Sequence, residues 1–317
     1  MVPETSLSNT IFMIAGPTAV GKTAVGVSLA RRLDGEIISC DSMQVYQGLA
    51  VASNQPTAEE REAVIHHLIG TVPLTESFDA ASFAEAAYRC LAEISDRGRL
   101  PIIVGGTGMY MKVLLDGIFE SQEVPEEIRE QLEQEAARKG SSVLYEQLKV
   151  IDPQAADRIH PHDTRRIIRA LEIYRLTGEP ISALQRQTDG LWGKRPVFLF
   201  GLAMDRQRLY QRINDRVETM FAQGLVDEIR SIRQMDLSKT ARAVIGLKEV
   251  GAFLDGQCSL DEAKEEMKKN TRHLAKRQMT WFRADERIQW MDVGRQDDAE
   301  NVAGRIEKIV RGEKDAG

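Results

Sequence analysis

The sequence predicts an α/β fold in which a parallel sheet core is interrupted by a helical insertion, and three observations support this prediction. Short apolar runs alternate with amphipathic stretches, a pattern that favours a parallel sheet with right-handed crossovers. A glycine-rich turn directly follows the first apolar run, and the segment 119–190 shows no strand pattern. With 317 residues, the chain is long enough for about two domains.

The predicted strands are short apolar runs that stop at a turn or at a polar residue. They cover Ile11–Ala15, Glu36–Cys40, Leu100–Val104, Val197–Ala203 and Ile288–Val293. The spacing of apolar residues predicts helices over Lys22–Leu33 and Ala80–Ile94, and mainly helical structure from Arg206 to Arg283.

The segment 119–190 is rich in Glu, Gln, Arg and Ala and is predicted to be helical. Pro125 and Pro153 are expected at the first position of a helix, and Gly140 and Gly178 at helix ends. The expected domains are therefore a first part of the core over 1–118, a helical insertion over 119–190, and a second part of the core with C-terminal helices over 191–317.

Composition excludes several classes of protein. The chain has 42 basic and 48 acidic side chains, a net charge of −6, so any nucleic-acid surface must be local rather than global. Cys40, Cys90 and Cys258 form no CxxC pair, which fits a reducing compartment and excludes a cysteine zinc site. No signal-peptide pattern or membrane-spanning apolar run is evident, so we expect a cytoplasmic protein without membrane contact. The neighbouring His66 and His67 are expected to be structural.

A phosphate-binding loop is the strongest motif in the sequence. It matches GxxxxGK[ST] between a predicted strand and a predicted helix, and comprises Gly16, Pro17, Thr18, Ala19, Val20, Gly21, Lys22 and Thr23. Backbone amides and the helix N-terminus form an anion site, Lys22 reaches the outer phosphate, and the Thr23 hydroxyl can ligate Mg²⁺. The core is thus predicted to be P-loop NTPase-like. The motif does not distinguish a nucleoside triphosphate from the diphosphate of another substrate.

Asp41 follows the second predicted strand. Ligands of open parallel sheets bind beyond the carboxyl ends of the strands, so Asp41 is expected in the crevice that holds Lys22 and Thr23. Its carboxylate can accept a proton from a nucleophile or hold magnesium through water. Gln44 offers a donor and an acceptor suited to a base edge. The alternative role for Asp41 is to cap a turn.

Five segments of the chain together resemble the bacterial tRNA dimethylallyltransferase family, also called tRNA isopentenyltransferase. In chain order they read GPTAVGKT, ISCDSMQVYQG, VGGTGMYMKVLLDG, IHPHDTRRIIRALEIYRLTG and TRHLAKRQMTWFR. The resemblance extends from about Ile11 to Arg283. It implies transfer of a dimethylallyl group from dimethylallyl diphosphate to the exocyclic amine of the adenosine on the 3′ side of the anticodon, with release of diphosphate.

The resemblance also implies roles for individual residues. The loop would hold the donor diphosphate, and Arg216 would contact that diphosphate from the side opposite Lys22. Arg212 is a near neighbour of Arg216 in the same helical pattern. Asp41 would be the general base, and Thr107 would lie beside a flipped adenosine. The implied tRNA contacts near the site are Asp41, Ser42, Met43, Gln44 and Thr107. The implied partners are the tRNA anticodon stem-loop and dimethylallyl diphosphate. From the chemistry of the loop we expect Mg²⁺ as cofactor, and we expect the protein to be a monomer.

Two stretches rich in basic residues are candidate RNA contacts. Residues 267–283 carry six cations and no acid, and Lys268, Arg272 and Lys276 share one helix face. The second stretch lies in the predicted insertion. The predicted tRNA contacts are Arg165, Arg166, Arg169, Lys268, Arg272, Lys276 and Arg277, with Arg242 added by resemblance. The alternative for each stretch is a solvated helix face. Trp281 and Phe282 are either core or base-stacking residues.

Two positions depart from the family pattern: Leu247 stands where an aromatic is usual, and Gln55 replaces a lysine. Two other functions also remain open at this point. A small-molecule or nucleoside kinase would bind ATP in the same loop and use Asp41 to activate a hydroxyl. A P-loop RNA-binding switch would hydrolyse nucleotide without modifying RNA.

Overall fold

The computed structural model describes residue 7 and residues 9–119 and 125–312, and the chain forms two compact units. The first is drawn from Met1–Val113 and Trp192–Gly317, and the second is Leu114–Leu191. The sequence predicts an insertion over 119–190. The sequence also predicts that a helix starts at Val124 and Pro125, and Val124 lies outside the described residues.

The first unit contains a parallel sheet of six strands in the order β3-β2-β4-β1-β5-β6 within the described residues. The strands are β1 (Ile11–Ala15), β2 (Gly35–Cys40), β3 (His66–His67), β4 (Leu100–Gly105), β5 (Val197–Ala203) and β6 (Gln289–Asp292). The predicted α/β fold is therefore confirmed. The two-residue β3 was not predicted, because a strand of that length has no periodicity to detect.

Strand β1 lies at the centre of the sheet and every one of its residues is buried. Phe12 pairs in register with Ile102 of β4 on one side and Phe198 of β5 on the other. The rings of Phe12 and Phe198 stack with centroids 5.6 Å apart. Burial on both faces explains the continuous apolar run that marks this strand in the sequence.

Helices connect the strands and continue to the end of the described chain. They are α1 (Lys22–Leu33), α2 (Ala58–Ala63), α3 (Ala80–Asp96), α4 (Gly108–Asp116), α10 (Arg206–Ala222), α11 (Leu225–Ile232), α12 (Leu247–Leu254), α13 (Leu260–Arg283) and α14 (Ala299–Arg311), and the second unit adds α5 (Glu126–Lys139), α6 (Ser141–Ile151), α7 (Pro153–Arg158), α8 (Thr164–Thr177) and α9 (Ile181–Arg186). Helix α13 begins with a capping box between Ser259 and Glu262. Helix α1 approaches the sheet closely, because a Cβ on Gly26 would lie 2.7 Å from Val104.

The second unit is a small helical assembly with its own core, built around Leu132, Leu144, Leu148 and Ile167. Its two chain ends are adjacent, since the backbone amide of Leu191 donates to the carbonyl of Leu114.

Helix ends in the second unit largely match the prediction. Pro153 is the first residue of α7, as predicted, whereas Pro125 is the cap that precedes α5. Gly140 and Gly178 end α5 and α8.

A buried carboxylate lies near the amino end of β2. The side chain of Glu36 is 0% exposed and receives hydrogen bonds from Arg97 and from His67 on β3. Burial alone would raise the pKa of Glu36, but these hydrogen bonds lower it below its ordinary value. The structural role predicted for the histidine pair is confirmed for His67. None of the described helices combines the length and apolar character needed to cross a bilayer.

Candidate active site

The glycine-rich loop lies between the carboxyl end of β1 and the start of α1. Gly16 and Gly21 have φ of 147° and 108°, a region that favours glycine. A Cβ on Gly16 would also lie 2.8 Å from the carbonyl oxygen of Leu202. Ala19 adopts φ of 65°, which costs energy for a residue with a side chain. The loop is therefore a shaped backbone structure, in the strand-to-helix position that the sequence predicts.

Lys22 folds back over this loop. Its Nζ donates to the carbonyl oxygen of Pro17 at 2.8 Å. Burial lowers the pKa of Lys22 to about 8, the nearby Asp41 carboxylate opposes that shift, and the charge of Arg216 adds to it. Asp41 therefore lies within electrostatic range of the Lys22 ammonium.

Two arginines of α10 contact the same loop. Arg216 Nη1 donates to the Thr18 hydroxyl at 3.2 Å, and Arg212 Nε donates to the carbonyl oxygen of Ala19 at 2.9 Å. Burial lowers the pKa of the Arg216 guanidinium, and the adjacent charge of Arg212 lowers it further. The sequence left open which of these two arginines faces the loop. The structure brings both there, with Arg216 the more enclosed.

Asp41 closes the turn that follows β2. Its Oδ1 accepts hydrogen bonds from the backbone amides of Met43 at 2.9 Å and Gln44 at 3.3 Å. The turn-capping role that the sequence offered as the alternative is therefore present. It coexists with a position inside the site, because Asp41 also acts electrostatically on Lys22 and Arg216.

The turn after β4 lies directly beside Asp41; we call Gly105–Gly108 the acceptor turn. The Thr107 amide donates to the Cys40 carbonyl at 3.2 Å, and the Thr107 hydroxyl accepts from the Ser42 amide at 3.0 Å. A Cβ on Gly105 would lie 2.0 Å from the Cys40 carbonyl oxygen. Only glycine permits this approach, so the VGGTG pattern reflects the closeness of two strand ends.

Gln44 is already engaged by protein groups. Its Oε1 accepts from the Ser39 hydroxyl at 2.9 Å and its Nε2 donates to the Asn54 carbonyl at 3.0 Å. Gln55 donates to the carbonyls of Gln44 and Tyr46, both at 2.9 Å. The residue that replaces the family's lysine therefore holds the loop of Gln44 in place.

The basic residues of α13 do not form one open stripe. The Lys268 side chain is only 12% exposed and pairs with Glu218 and Glu265. Arg272 donates to Asn214 at 2.8 Å, whereas Lys276 and Arg277 are exposed. Glu218 belongs to α10, which is distant in the sequence. The absence of acidic residues from 267–283 therefore gave no indication that Lys268 has this partner.

The remaining predicted RNA contacts lie in the short 3-10 helix Ala241–Ala243 and on α8. Arg242 donates to the Leu237 carbonyl and pairs with Asp236, and Leu247 begins α12. In the second unit, Arg165 and Arg166 are exposed on α8, while Arg169 pairs with the buried Glu172.

Gln278 is a site residue that the sequence analysis missed. Its Oε1 accepts from the Thr18 amide at 2.8 Å, and its Nε2 donates to the Gly106 carbonyl at 3.0 Å. Gln278 belongs to the segment TRHLAKRQMTWFR, but no spacing rule marks a glutamine on a distant helix as a site residue. Of the two aromatics that follow, Phe282 is buried in the core, and Trp281 lies over Gly108.

Thr23 is the residue that the sequence assigns to magnesium. It is half-buried in the first turn of α1, one residue after Lys22. No group of three or more His, Cys, Asp or Glu able to hold a metal occurs in the part of the chain described. One hydroxyl beside a phosphate loop fits an ion that takes its other ligands from phosphates and water, which is the usual behaviour of Mg²⁺.

Comparison with known proteins gives consistent matches over nearly the whole chain. A model of the IPP transferase family matches residues 44–285. A tRNA dimethylallyltransferase of Carboxydothermus hydrogenoformans is 45% identical over 306 residues, covering 96% of this chain and 97% of that protein. Its counterpart from Geobacillus thermodenitrificans is 44% identical over 310 residues and covers 96% of both.

Solved structures agree in fold as well as in sequence. The full-length tRNA isopentenylpyrophosphate transferase of Bacillus halodurans is 40% identical, with a TM-score of 0.70 and coverage of 96% of each chain. A eukaryotic dimethylallyltransferase, captured in crystallographic snapshots acting on tRNA, is 28% identical with a TM-score of 0.81. That match covers 98% of this chain and 81% of the other.

Proposed function

Since this chain belongs to the IPP transferase family of tRNA dimethylallyltransferases, we propose how its phosphate loop, Asp41 and acceptor turn carry out that reaction. The enzyme transfers a dimethylallyl group from dimethylallyl diphosphate to the exocyclic amine of the adenosine 3′-adjacent to the anticodon. The observation that carries the assignment of roles is a chain of hydrogen bonds. Ser42, next to Asp41, is bonded to Thr107 of the acceptor turn, and Gln278 bonds that turn to Thr18 of the phosphate loop.

The diphosphate of the donor binds at the glycine-rich loop. Lys22 leaves the Pro17 carbonyl to contact a phosphate, and Arg216 approaches from the side of Thr18. As the allylic carbon–oxygen bond breaks, negative charge accumulates on the leaving diphosphate. Fixed positive groups in an enclosed site stabilise that charge, which is the largest contribution to the rate.

Magnesium fits the same loop. The Thr23 hydroxyl would hold the ion together with diphosphate oxygens, and the bound ion would supply additional charge neutralisation to the leaving group.

Asp41 removes the proton from the amine. The carbon–nitrogen bond forms as the carbon–oxygen bond breaks, and the amine proton passes to the carboxylate. Both hydrogen bonds that Asp41 accepts from its own turn use Oδ1. The capping contacts therefore fix the carboxyl group while Oδ2 serves as the base, a role worth about 10²–10⁴-fold in rate.

The acceptor base reaches the site by leaving its stack, at a cost of a few kcal/mol. Thr107 lies beside it, because its backbone and hydroxyl are fixed to Cys40 and Ser42 on either side of Asp41. Ser42 and Met43 complete the tRNA contacts of this edge. Gln44 contributes less, because its carboxamide is bonded to Ser39 and Asn54.

Each of the two units offers basic side chains for tRNA phosphates. Arg165, Lys276 and Arg277 are exposed and supply the phosphate contacts. The other predicted basic contacts already have protein partners and contribute less: Arg166, Arg169, Arg242, Lys268 and Arg272. We propose further that the enzyme acts as a monomer in the cytoplasm.

The direct test is mass analysis of tRNA nucleosides after reaction with isotopically labelled dimethylallyl diphosphate. The expected product is an adenosine that carries the labelled group, at the position next to the anticodon. A parallel reaction with labelled ATP tests the alternative that the protein is a small-molecule or nucleoside kinase. Phosphate transfer from ATP without prenylated RNA would overturn the assignment.

A further inference from the structure

We infer that Gln278 is a positioning residue, which sets the spacing between the donor and acceptor halves of the site. The inference rests on the proposed function, since it assigns the phosphate loop to the donor and the acceptor turn to the adenosine. Its carboxamide is hydrogen-bonded to both, through Thr18 on one side and Gly106 on the other.

The two partners fix the orientation of the carboxamide. The Thr18 amide can only donate, so it takes Oε1, and the Gly106 carbonyl can only accept, so it takes Nε2. A single rigid planar group therefore joins two loops that come from different strands. β1 and β4 are paired in the sheet as far as Ala15 and Gly105, and Gln278 joins the two loops beyond the point where that pairing ends.

The glycines of the acceptor turn are shaped for this helix. A Cβ on Gly106 would lie 2.4 Å from Gln278 Nε2, and a Cβ on Gly108 would lie 2.2 Å from Trp281 Cδ1. Gln278 and Trp281 are three residues apart on α13 and so share one face of the helix. This face of α13 is thus seated directly on the turn that holds Thr107.

Gln278 also acts on the diphosphate side. Thr18 is held at its amide by Gln278 and at its hydroxyl by Arg216. With its amide occupied, Thr18 contributes no backbone donor to the phosphate nest. Loss of the Gln278 contact would release Thr18 and with it the anchor of Arg216, so the loop and the arginine would shift relative to the acceptor turn.

The test is the single-turnover rate with enzyme in excess and both substrates saturating. Gln278→Met removes both hydrogen bonds and keeps a side chain of similar length. We expect its rate to fall by about 10–100-fold, because misplacing reacting groups by about 1 Å has effects of that size. Affinity for tRNA should stay within about twofold of wild type, since the lost contacts are not made to RNA.

Gly106→Ala tests the same relationship without changing α13. The introduced methyl group displaces the Gln278 carboxamide, so the rate should fall to a similar level. The double variant should lose no more than either single variant, because the two residues act as one unit. Gln257→Met, at an exposed glutamine ahead of α13, and Gly251→Ala, where a Cβ meets nothing within 4 Å among described residues, are the matched controls.

A purely structural role for Gln278 predicts something different. It would lower the melting temperature while leaving the saturated single-turnover rate unchanged, and that result would overturn the inference. Multiplicative losses in the double variant would also overturn it. Failure of the proposed function itself is distinguishable, because then wild-type enzyme would form no prenylated tRNA.

Discussion

The hydroxyl of Thr107 accepts a hydrogen bond from the backbone amide of Ser42 at 3.0 Å. This contact joins the turn after β4 to the residue that follows Asp41. The candidate base and the acceptor turn therefore form one hydrogen-bonded unit at the carboxyl edge of the sheet. In an open parallel sheet, neighbouring strand ends supply groups to a common ligand crevice, and here they are also bonded to one another.

Replacing Thr107 by Val should lower the rate of prenyl transfer by about tenfold, because the Ser42 amide loses its acceptor and the turn of Asp41 loosens. Thr107→Ser keeps the hydroxyl and should retain most of the activity. Single-turnover kinetics with saturating tRNA measure both. Equal rates for the valine and serine variants would show that the hydroxyl does not matter.

Asp41→Asn should reduce turnover by about 10²–10⁴-fold with little change in tRNA affinity. Asparagine keeps an oxygen that can accept from the Met43 and Gln44 amides, so the turn is preserved while the base is removed. Asp41→Ala removes base and cap together. Turnover and filter-binding assays on both variants separate the two roles, and normal turnover in Asp41→Asn would eliminate Asp41 as the base.

Binding of diphosphate should take up a proton through Lys22. Because burial lowers the pKa of Lys22 to about 8, its amine is half neutral at that pH and mostly neutral above it, and a bound anion raises the pKa again. Affinity for inorganic pyrophosphate should therefore weaken as pH rises above about 8.

The matched variant for this effect is Lys22→Arg, since arginine stays charged over the same pH range. Calorimetry at pH 8 to 9 in two buffers of different ionisation enthalpy gives the number of protons taken up. Wild type should show the greater uptake. Equal values in the two proteins would mean that Lys22 does not titrate on binding.

Lys276→Ala should weaken tRNA binding and reduce the slope of log affinity against log salt by roughly one unit. Lys268 lies on the same helix but is 12% exposed and pairs with Glu218 and Glu265. Lys268→Ala should therefore change the slope less. Binding titrations over a range of salt concentrations compare the two, and a larger effect at Lys268 would contradict the structure-based ranking.

Glu36→Gln should destabilise the protein at neutral pH by about 1–3 kcal/mol, because a buried acceptor for Arg97 and His67 is weakened. The pKa of Glu36 is lowered in the folded state, so its stabilising contribution is complete above the ordinary value of 4.5 and is lost as pH falls below it. The difference in free energy of unfolding between wild type and Glu36→Gln should therefore decrease as pH falls below 4.5. Urea denaturation between pH 4 and 7 measures it, with the exposed Glu59→Gln as control.

Local sequence determined the phosphate loop and the strand ends of the site. The loop is bounded by the apolar strand that ends before Gly16 and by the helix that begins at Lys22. Gly16 and Gly21 adopt φ above 100°, which restricts the backbone between them. The position of Asp41 after the next strand followed from the geometry of parallel sheets. Each of these features is determined by residues that are close together in the sequence. A local pattern of residue types is therefore enough to predict them.

Tertiary packing decided which distant groups meet at the loop. Gln278 reaches Thr18 across 260 positions of the chain, and Glu218 neutralises Lys268 from another helix. Such contacts depend on where α13 and α10 pack on the sheet, and no local periodicity encodes that position. The sequence by itself therefore determined the chemistry that the site contains. Only the three-dimensional packing decided which charges stay available and how the two halves of the site are spaced.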